Sequence, residues 1–277
     1  MQQWYAFMLG GETVLSMVEQ PQSLRTTMLV TILITLVCAI LVTSSVTLLK
    51  PRQLAWLAIE QNRAIIAAAG LSNESSSLSA GEVVERMSVL SASLLEVNRL
   101  EVTVGPQALV FDFFTGIDAG GEVYVIPPGL DVAGLGKRPT HAPVYALYAG
   151  GKLQRLILPF YGPGMWSRIS GYIALESDLN TVASIVFYQH GETPGIGDQI
   201  EQPEWRNHWV GKKVRDAAGR LRLGQGAKGG DSDYRLYQLD AISGATVTSE
   251  SVIAIVSYWL GEDGYGPYLA QLQEAPL

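Results

Sequence analysis

The longest apolar run of the chain covers residues 28–49, and it contains no charged residue. Arg25 precedes the run, and Lys50 and Arg52 follow it. In a helix that rises about 1.5 Å per residue, this run would cross the roughly 30 Å hydrocarbon core of a bilayer. A cleaved signal peptide is the alternative, but its apolar core is usually shorter. We therefore predict an uncleaved transmembrane anchor over residues 25–50.

Helical periodicity returns after the anchor. Residues 54–69 are rich in alanine and stop at a glycine, which predicts a helix. Ser79 and Glu82 match a capping box, and the apolar residues behind them predict a second helix that runs to about residue 95. A third apolar stretch, residues 252–260, also predicts a helix.

Strand-forming residues cluster in the middle of the chain. They predict strands over residues 100–104, 122–126, 143–147, 153–158, 171–175, 182–188 and 234–239. Gly150 and Gly151 predict the turn of a hairpin between two of these strands. Because the strands do not alternate regularly with helices, we expect an α+β fold with a mainly antiparallel sheet and flanking helices.

The composition of the chain limits the partners and cofactors that it can bind. The 277 residues carry a net charge of −7, which argues against a nucleic-acid partner. The single cysteine, Cys38, lies in the apolar run, so it cannot form a disulfide within the chain or hold an iron–sulfur cluster. The histidines do not have the spacing of a helical metal site. Redox chemistry in this chain would therefore need an organic cofactor, or a metal held by ligands other than cysteine.

The most informative motif is residues 240–249, with the sequence Asp-Ala-Ile-Ser-Gly-Ala-Thr-Val-Thr-Ser. It is typical of a loop that ends at a helix N-terminus. Such a terminus offers unpaired backbone N–H groups and the positive end of the helix dipole, which suit a phosphate. The alternative is that Thr246 or Thr248 is simply the N-cap of the helix.

Two further stretches are rich in turn residues. Residues 190–198 follow a predicted strand, and His190 and Glu192 in this stretch are a weak candidate for an acid–base pair. Residues 159–167 carry Tyr161 and Trp166, which are candidates either for an aromatic wall against a flat ligand or for the core. Neither stretch matches a P-loop or a dinucleotide fingerprint, so we do not expect the chain to bind NADH itself.

Together these stretches resemble the C-subunit of the bacterial Na⁺-translocating NADH:quinone reductase, from about residue 24 to the end. The Glu-Thr-Pro-Gly and Ser-Gly-Ala-Thr motifs are shared with the G-subunit of the related Rnf complex. The loop of residues 161–166 and the closing residues 259–268 are more specific to the C-subunit of the reductase.

The resemblance implies a cofactor, FMN, joined through its phosphate to Thr246. It implies further cofactor-binding residues in the same motif and in neighbouring loops: Ser243, Gly244, Ala245, Thr248, Glu192, Thr193, Gly195, Ile196 and Trp166. Lys212 is a candidate contact for the phosphate or the flavin ring. No metal site is implied.

The resemblance also implies an organisation: an N-terminal extension of residues 1–24, the anchor, and a periplasmic FMN-binding domain of residues 51–277. The protein would lie in the cell inner membrane as a single-pass electron-relay component of a six-subunit complex, whose other subunits bind NADH and ubiquinone. A separate flavin transferase would attach the FMN.

Alternatives exist both for the orientation of the domain in the membrane and for its function. The basic residues after the apolar run outnumber those before it, which favours a cytoplasmic domain by the positive-inside rule. We follow the family topology against this small bias. The alternative functions are an Rnf-type G-subunit and a membrane-anchored binding or sensor domain without flavin.

Overall fold

The computed structural model describes residues 23–72, 78–111, 113, 121–224 and 234–274. Up to residue 22, the predicted N-terminal extension lies outside the described residues. The chain divides into two compact units, residues 1–56 and residues 57–277.

A single helix, α1, runs from Leu24 to Ala68. The sequence predicts an anchor and a separate helix over residues 54–69, but the backbone continues through Pro51 as one helix. A proline removes one backbone hydrogen bond from a helix, and the helical turns on both sides of Pro51 are long enough to tolerate that loss. Among the described residues, α1 is the one helix that is long and apolar enough to cross a membrane.

The second unit contains the last residues of α1, a six-stranded sheet, a two-stranded sheet and short helices around them. In chain order its elements are α2 Ala80–Met87, β1 Leu90–Glu96, β2 Glu101–Val104, α3 Gln107–Val110, β3 Val123–Val125, β4 Lys137–Pro139, β5 His141–Ala149, β6 Lys152–Pro163, β7 Arg168–Glu176, β8 Val182–Gln189, a 3-10 helix Gly197–Glu201, α4 Pro203–Asn207, α5 Tyr234–Tyr237, α6 Thr246–Trp259 and α7 Gly266–Glu274.

The large sheet has the strand order β2-β1-β5-β6-β7-β8, and every neighbouring pair is antiparallel. The predicted hairpin is present, with Gly150 and Gly151 both at positive φ in its turn. Strand β7 is buried from Ile169 to Leu175, because other elements cover both of its faces. The α+β fold with a mainly antiparallel sheet is confirmed.

The second predicted helix is shorter than expected. Its capping box is present, since the Ser79 side chain accepts from the Glu82 amide and the Glu82 carboxylate accepts from the Ser79 amide. The helix ends at Met87, however, and residues 90–96 form strand β1, so the prediction of a helix to residue 95 was wrong. Strand β1 hydrogen-bonds to a strand on each side, and this pairing outweighs the local helical spacing.

The predicted strand over residues 234–239 was also wrong. Residues 234–237 form the short helix α5. The carbonyls of Leu236 and Tyr237 accept from the amides of Lys213 and Gly224. This segment therefore bonds to a neighbouring loop and gains no place in the sheet.

Helix α6 lies against strand β6, and this contact positions the motif of residues 240–249. The Trp259 indole N–H donates to the carbonyl of Tyr161 over 2.8 Å. A Cβ on Gly162 would overlap the side chain of Ile255, so the absence of a side chain lets the helix approach the strand. Helix α6 begins at Thr246, ahead of the apolar stretch of residues 252–260 that predicted it, and brings the motif to the end of the sheet.

Candidate functional site

The motif forms a tight loop that is fixed to its own helix. Gly244 has φ +85°, a conformation that glycine adopts without strain. The buried Ser249 hydroxyl accepts from the Ile242 amide and donates to the Ala245 carbonyl, each over 2.9 Å. At the start of the motif, the Trp205 indole N–H donates to the Asp240 carbonyl over 3.0 Å. The loop therefore has a defined shape before any ligand is considered.

The hydroxyl groups of the motif divide into two exposed and two buried ones. Ser243 and Thr246 are exposed, whereas Thr248 and Ser249 are 2% and 0% exposed. Ala245 is the N-cap of α6, and no side chain caps the helix, so neither threonine plays the N-cap role considered from the sequence. The Thr246 hydroxyl therefore stands at the first turn, where backbone amides have no acceptor within the helix.

The carboxylate of Glu192 joins the three stretches that the sequence singles out. It is 4% exposed. Oε2 accepts from the Thr248 hydroxyl over 2.7 Å, and Oε1 accepts from the Trp166 amide over 3.2 Å. The structure thus brings the loops of residues 163–167 and 190–197 to the first turn of α6.

The loop after Glu192 is held by backbone hydrogen bonds. The Thr193 carbonyl accepts from the amides of Ile196, Gly197 and Asp198. Gly195 has φ +77°, and both Gly195 and Ile196 are exposed. The predicted contact loop is therefore a rigid turn that presents exposed backbone beside the motif.

A cavity of about 370 Å³ lies along the loop between β6 and β7. This volume is within the range of small-molecule sites, roughly 300–1,000 Å³. Trp166 and Tyr161 both line the cavity, but Trp166 is 68% exposed, whereas Tyr161 is buried and packs edge-on against Phe113. Trp166 is thus the available wall for a flat aromatic ligand, and Tyr161 belongs mainly to the core.

His190 is not paired with the Glu192 carboxylate. Its Nδ1 accepts from the Glu192 amide over 3.2 Å, and its Nε2 lies 2.9 Å from Oε1 of Glu201. The hydrogen bond with Glu201 raises the pKa of His190, and partial burial opposes this effect. The histidine therefore stabilises the loop and forms no acid–base pair with Glu192.

Lys212 faces the segment that leads into the motif. Its ammonium group donates to the Arg235 carbonyl over 2.9 Å. Partial burial lowers the pKa of Lys212, while the charge of Asp240 acts in the opposite direction. The structure brings Lys212 near the start of the motif, and it does not place the ammonium group in the Glu192 cluster.

The sequence predicted the motif, but it did not identify the residues that fix the loop conformation through hydrogen bonds. Ser249 and Trp205 both fix its backbone. Ser249 carried a weak signal, because a serine four residues after Ala245 in a helix can bond to that carbonyl. Trp205 carried none, since its partner is a backbone carbonyl distant in sequence.

Comparison with known proteins shows the family to which the chain belongs. Residues 164–261, which contain Trp166, the turn at Glu192 and the whole motif of residues 240–249, match the FMN-binding domain family. The chain is 34% identical to the C-subunit of the Na⁺-translocating NADH-quinone reductase of Pseudomonas aeruginosa, over 91% of this chain and 97% of that protein. It is also 34% identical to the corresponding protein of Pasteurella multocida, over 94% and 99% of the two chains.

A solved structure shows the same fold. The crystal structure of Shewanella oneidensis NqrC matches with a TM-score of 0.67 and 30% identity, over 80% of this chain and 100% of that one. Fold and site thus define an FMN-binding electron-transfer domain with an apolar N-terminal helix. The chain belongs to the C-subunit family of the Na⁺-translocating NADH-quinone reductase, and it is a component of an oxidoreductase complex.

Proposed function

We propose that this chain carries FMN in phosphodiester linkage to Thr246 and relays electrons between other subunits of a sodium-pumping NADH:quinone reductase. The observation that carries the proposal is the contrast between the threonines of the motif. Thr246 is exposed at the first turn of α6, while Thr248 is buried and donates its hydroxyl to Glu192.

The surroundings of Thr248 argue against attachment there. A phosphoryl group on its oxygen would replace the hydrogen bond to Glu192 with the approach of two negative groups. Ser249 is equally enclosed, and its hydroxyl is used twice within the loop. Ser243 is exposed, so a variant must distinguish it from Thr246.

The first turn of α6 suits a phosphodiester. The linkage keeps one negative charge, and the helix N-terminus stabilises such a charge by roughly 0.3–1 kcal/mol. No acidic residue of α6 itself lies in the first turn, and the Glu192 carboxylate that approaches this turn accepts hydrogen bonds from Thr248 and Trp166. Gly244 has no side chain, and nothing lies within 4 Å of where its Cβ would stand, which leaves room for a phosphate beside Thr246.

Attachment needs an activated phosphoryl donor, because Thr246 is an ordinary alcohol. We infer that a separate flavin transferase uses a flavin dinucleotide for this step. The Thr246 oxygen would form a bond to the phosphorus on the flavin side while the phosphoanhydride bond breaks. AMP would leave, and the hydroxyl proton would pass to a base of the transferase, so that no oxidant or reductant is needed.

Bound FMN supplies reversible electron transfer, and the residues of this chain hold and orient it. Trp166 offers an exposed flat surface, and Glu192, Thr193, Gly195 and Ile196 form the turn beside it. Lys212 remains a candidate contact. Electron transfer between carriers requires no general acid or base, so neither Glu192 nor His190 needs a catalytic role.

We propose that the domain is periplasmic and that α1 anchors it in the inner membrane as part of a six-subunit complex, whose other subunits bind NADH and ubiquinone. The sequence carries a small opposite charge bias. The test is an exposed cysteine, Glu204→Cys, in a Cys38→Ser background. A membrane-impermeant maleimide should label it in spheroplasts, and labelling only after lysis would place the domain in the cytoplasm.

The attachment is tested by the fluorescence of flavin on a denaturing gel after co-expression with the transferase. The wild type and the matched control Ser243→Ala should fluoresce, as should Thr246→Ser, which keeps a hydroxyl. Thr246→Ala should be dark. A fluorescent Thr246→Ala band that disappears in Ser243→Ala would move the linkage to Ser243.

A further inference from the structure

Glu192 is an unusual residue for its position. Its side chain is 4% exposed, and none of the ion pairs among the described residues includes it. Burial of a carboxylate is unfavourable unless hydrogen bonds replace the lost water. Here the Thr248 hydroxyl and the Trp166 amide supply these bonds, one to each oxygen.

The surrounding chain leaves space for this carboxylate. A Cβ on Gly164 would lie 2.5 Å from Oε1 of Glu192, and a Cβ on Gly197 would lie 2.8 Å from Cβ of Glu192. The second of these would also lie 3.2 Å from the Thr248 hydroxyl. A side chain at either of these two positions would meet Glu192, so glycine at both lets the Glu192 side chain fit closely between the two loops.

The hydrogen bonds of Glu192 connect segments that are far apart in the chain. Thr248 lies in the first turn of α6, two residues after Thr246, and Trp166 lies in the turn between β6 and β7. On the basis of the proposed function, we infer that Glu192 is a positioning residue. It would fix the first turn of α6 against the loops of residues 163–167 and 190–197, so that the Thr246 hydroxyl is presented in one orientation to the flavin transferase.

This assignment differs from a direct contact between the Glu192 carboxylate and the flavin. Both oxygens already accept from the protein, and the side chain points into the structure and away from solvent. The backbone of the same loop is still available for cofactor contact. The effect of Glu192 on attachment should therefore depend on Thr248.

The test is the initial rate of flavin attachment to the purified full chain in detergent, with a flavin dinucleotide and the transferase. Glu192→Ala and Thr248→Val should each slow attachment by about tenfold, and the double variant should be no slower than the slower single variant. Thr248→Ser keeps the hydroxyl, so it should accept flavin at nearly the wild-type rate. Glu85→Ala, an exposed carboxylate on α2, is the matched control. All rates are measured where circular dichroism shows each variant folded.

Hydrogen–deuterium exchange of the same chains without flavin gives an independent readout. Residues 242–250 should exchange about tenfold faster in Glu192→Ala and Thr248→Val, and unchanged in Glu85→Ala. Wild-type attachment and exchange rates in a folded Glu192→Ala, or additive effects in the double variant, would overturn the inference. A wild type that accepts no flavin would instead refute the proposed function, and the exchange data would still decide the role of Glu192.

Discussion

Replacing Ser249 with alanine should loosen the loop that carries Thr246. The substitution removes a hydroxyl that is 0% exposed and leaves the buried Ile242 amide without an acceptor. An unsatisfied buried donor costs about 1–3 kcal/mol. The Ala245 carbonyl still accepts from the Ser249 amide over 3.0 Å, so the loss of the second donor, the Ser249 hydroxyl, costs this carbonyl little. Alanine returns up to about 0.5 kcal/mol through its higher helix propensity. We therefore expect a net loss of roughly 0.5–3 kcal/mol.

The assay is chemical denaturation of the full chain in detergent, followed by tryptophan fluorescence. Ser251→Ala is the matched control, because Ser251 is half-buried on the same helix. It should change the free energy of unfolding by no more than about 0.5 kcal/mol. If Ser249→Ala behaves like Ser251→Ala, the Ser249 hydroxyl does not hold the loop, and the argument that the loop has a fixed shape before flavin attachment fails.

Three further predictions concern the residues around the site. Because Glu201 raises the folded-state pKa of His190, their pair should add stability below the unfolded pKa of about 6.5 and lose it as the pH rises through the folded value. The stability difference between wild type and Glu201→Gln should thus be larger near pH 5 than near pH 8, and equal differences would contradict this. Gly162→Ala should cost about 1–3 kcal/mol by crowding Ile255, and Ile255→Ala should relieve part of that cost in the double variant. Trp166→Ala should leave the free energy of unfolding within about 0.5 kcal/mol and still change the fluorescence of the bound flavin; an unchanged flavin spectrum would remove Trp166 from the site.

The parts of the fold that local sequence determines were predicted well. The hairpin between β5 and β6 follows from two glycines at its turn, and the start of α2 follows from the capping box of Ser79 and Glu82. The errors occurred where distant contacts decide the structure. Strand β1 forms because it hydrogen-bonds to β2 on one side and to β5 on the other. Residues 234–237 remain outside the sheet because their carbonyl groups hydrogen-bond to a neighbouring loop.

The same distinction applies to the site. The motif of residues 240–249 and the turn at Glu192 could be singled out from their glycines and hydroxyls. The apolar stretch that predicts the helix begins at residue 252, after both threonines, so it did not show that Thr248 lies on the buried face of the helix and Thr246 on the exposed face. The partners of Glu192 depend on the approach of three distant segments, and this approach follows from the packing of α6 on β6.

The most direct test of the account is the mass of the peptide that contains Thr246, taken from protein produced together with the flavin transferase. Residues 236–277 contain no lysine or arginine, so trypsin leaves the whole motif in one peptide that begins at Leu236, and fragment ions must locate the added group. We predict an increase equal to FMN less one water, with every fragment that contains Thr246 carrying it. An unmodified peptide, or an added mass located on Ser243 or Thr248, would contradict the central claim.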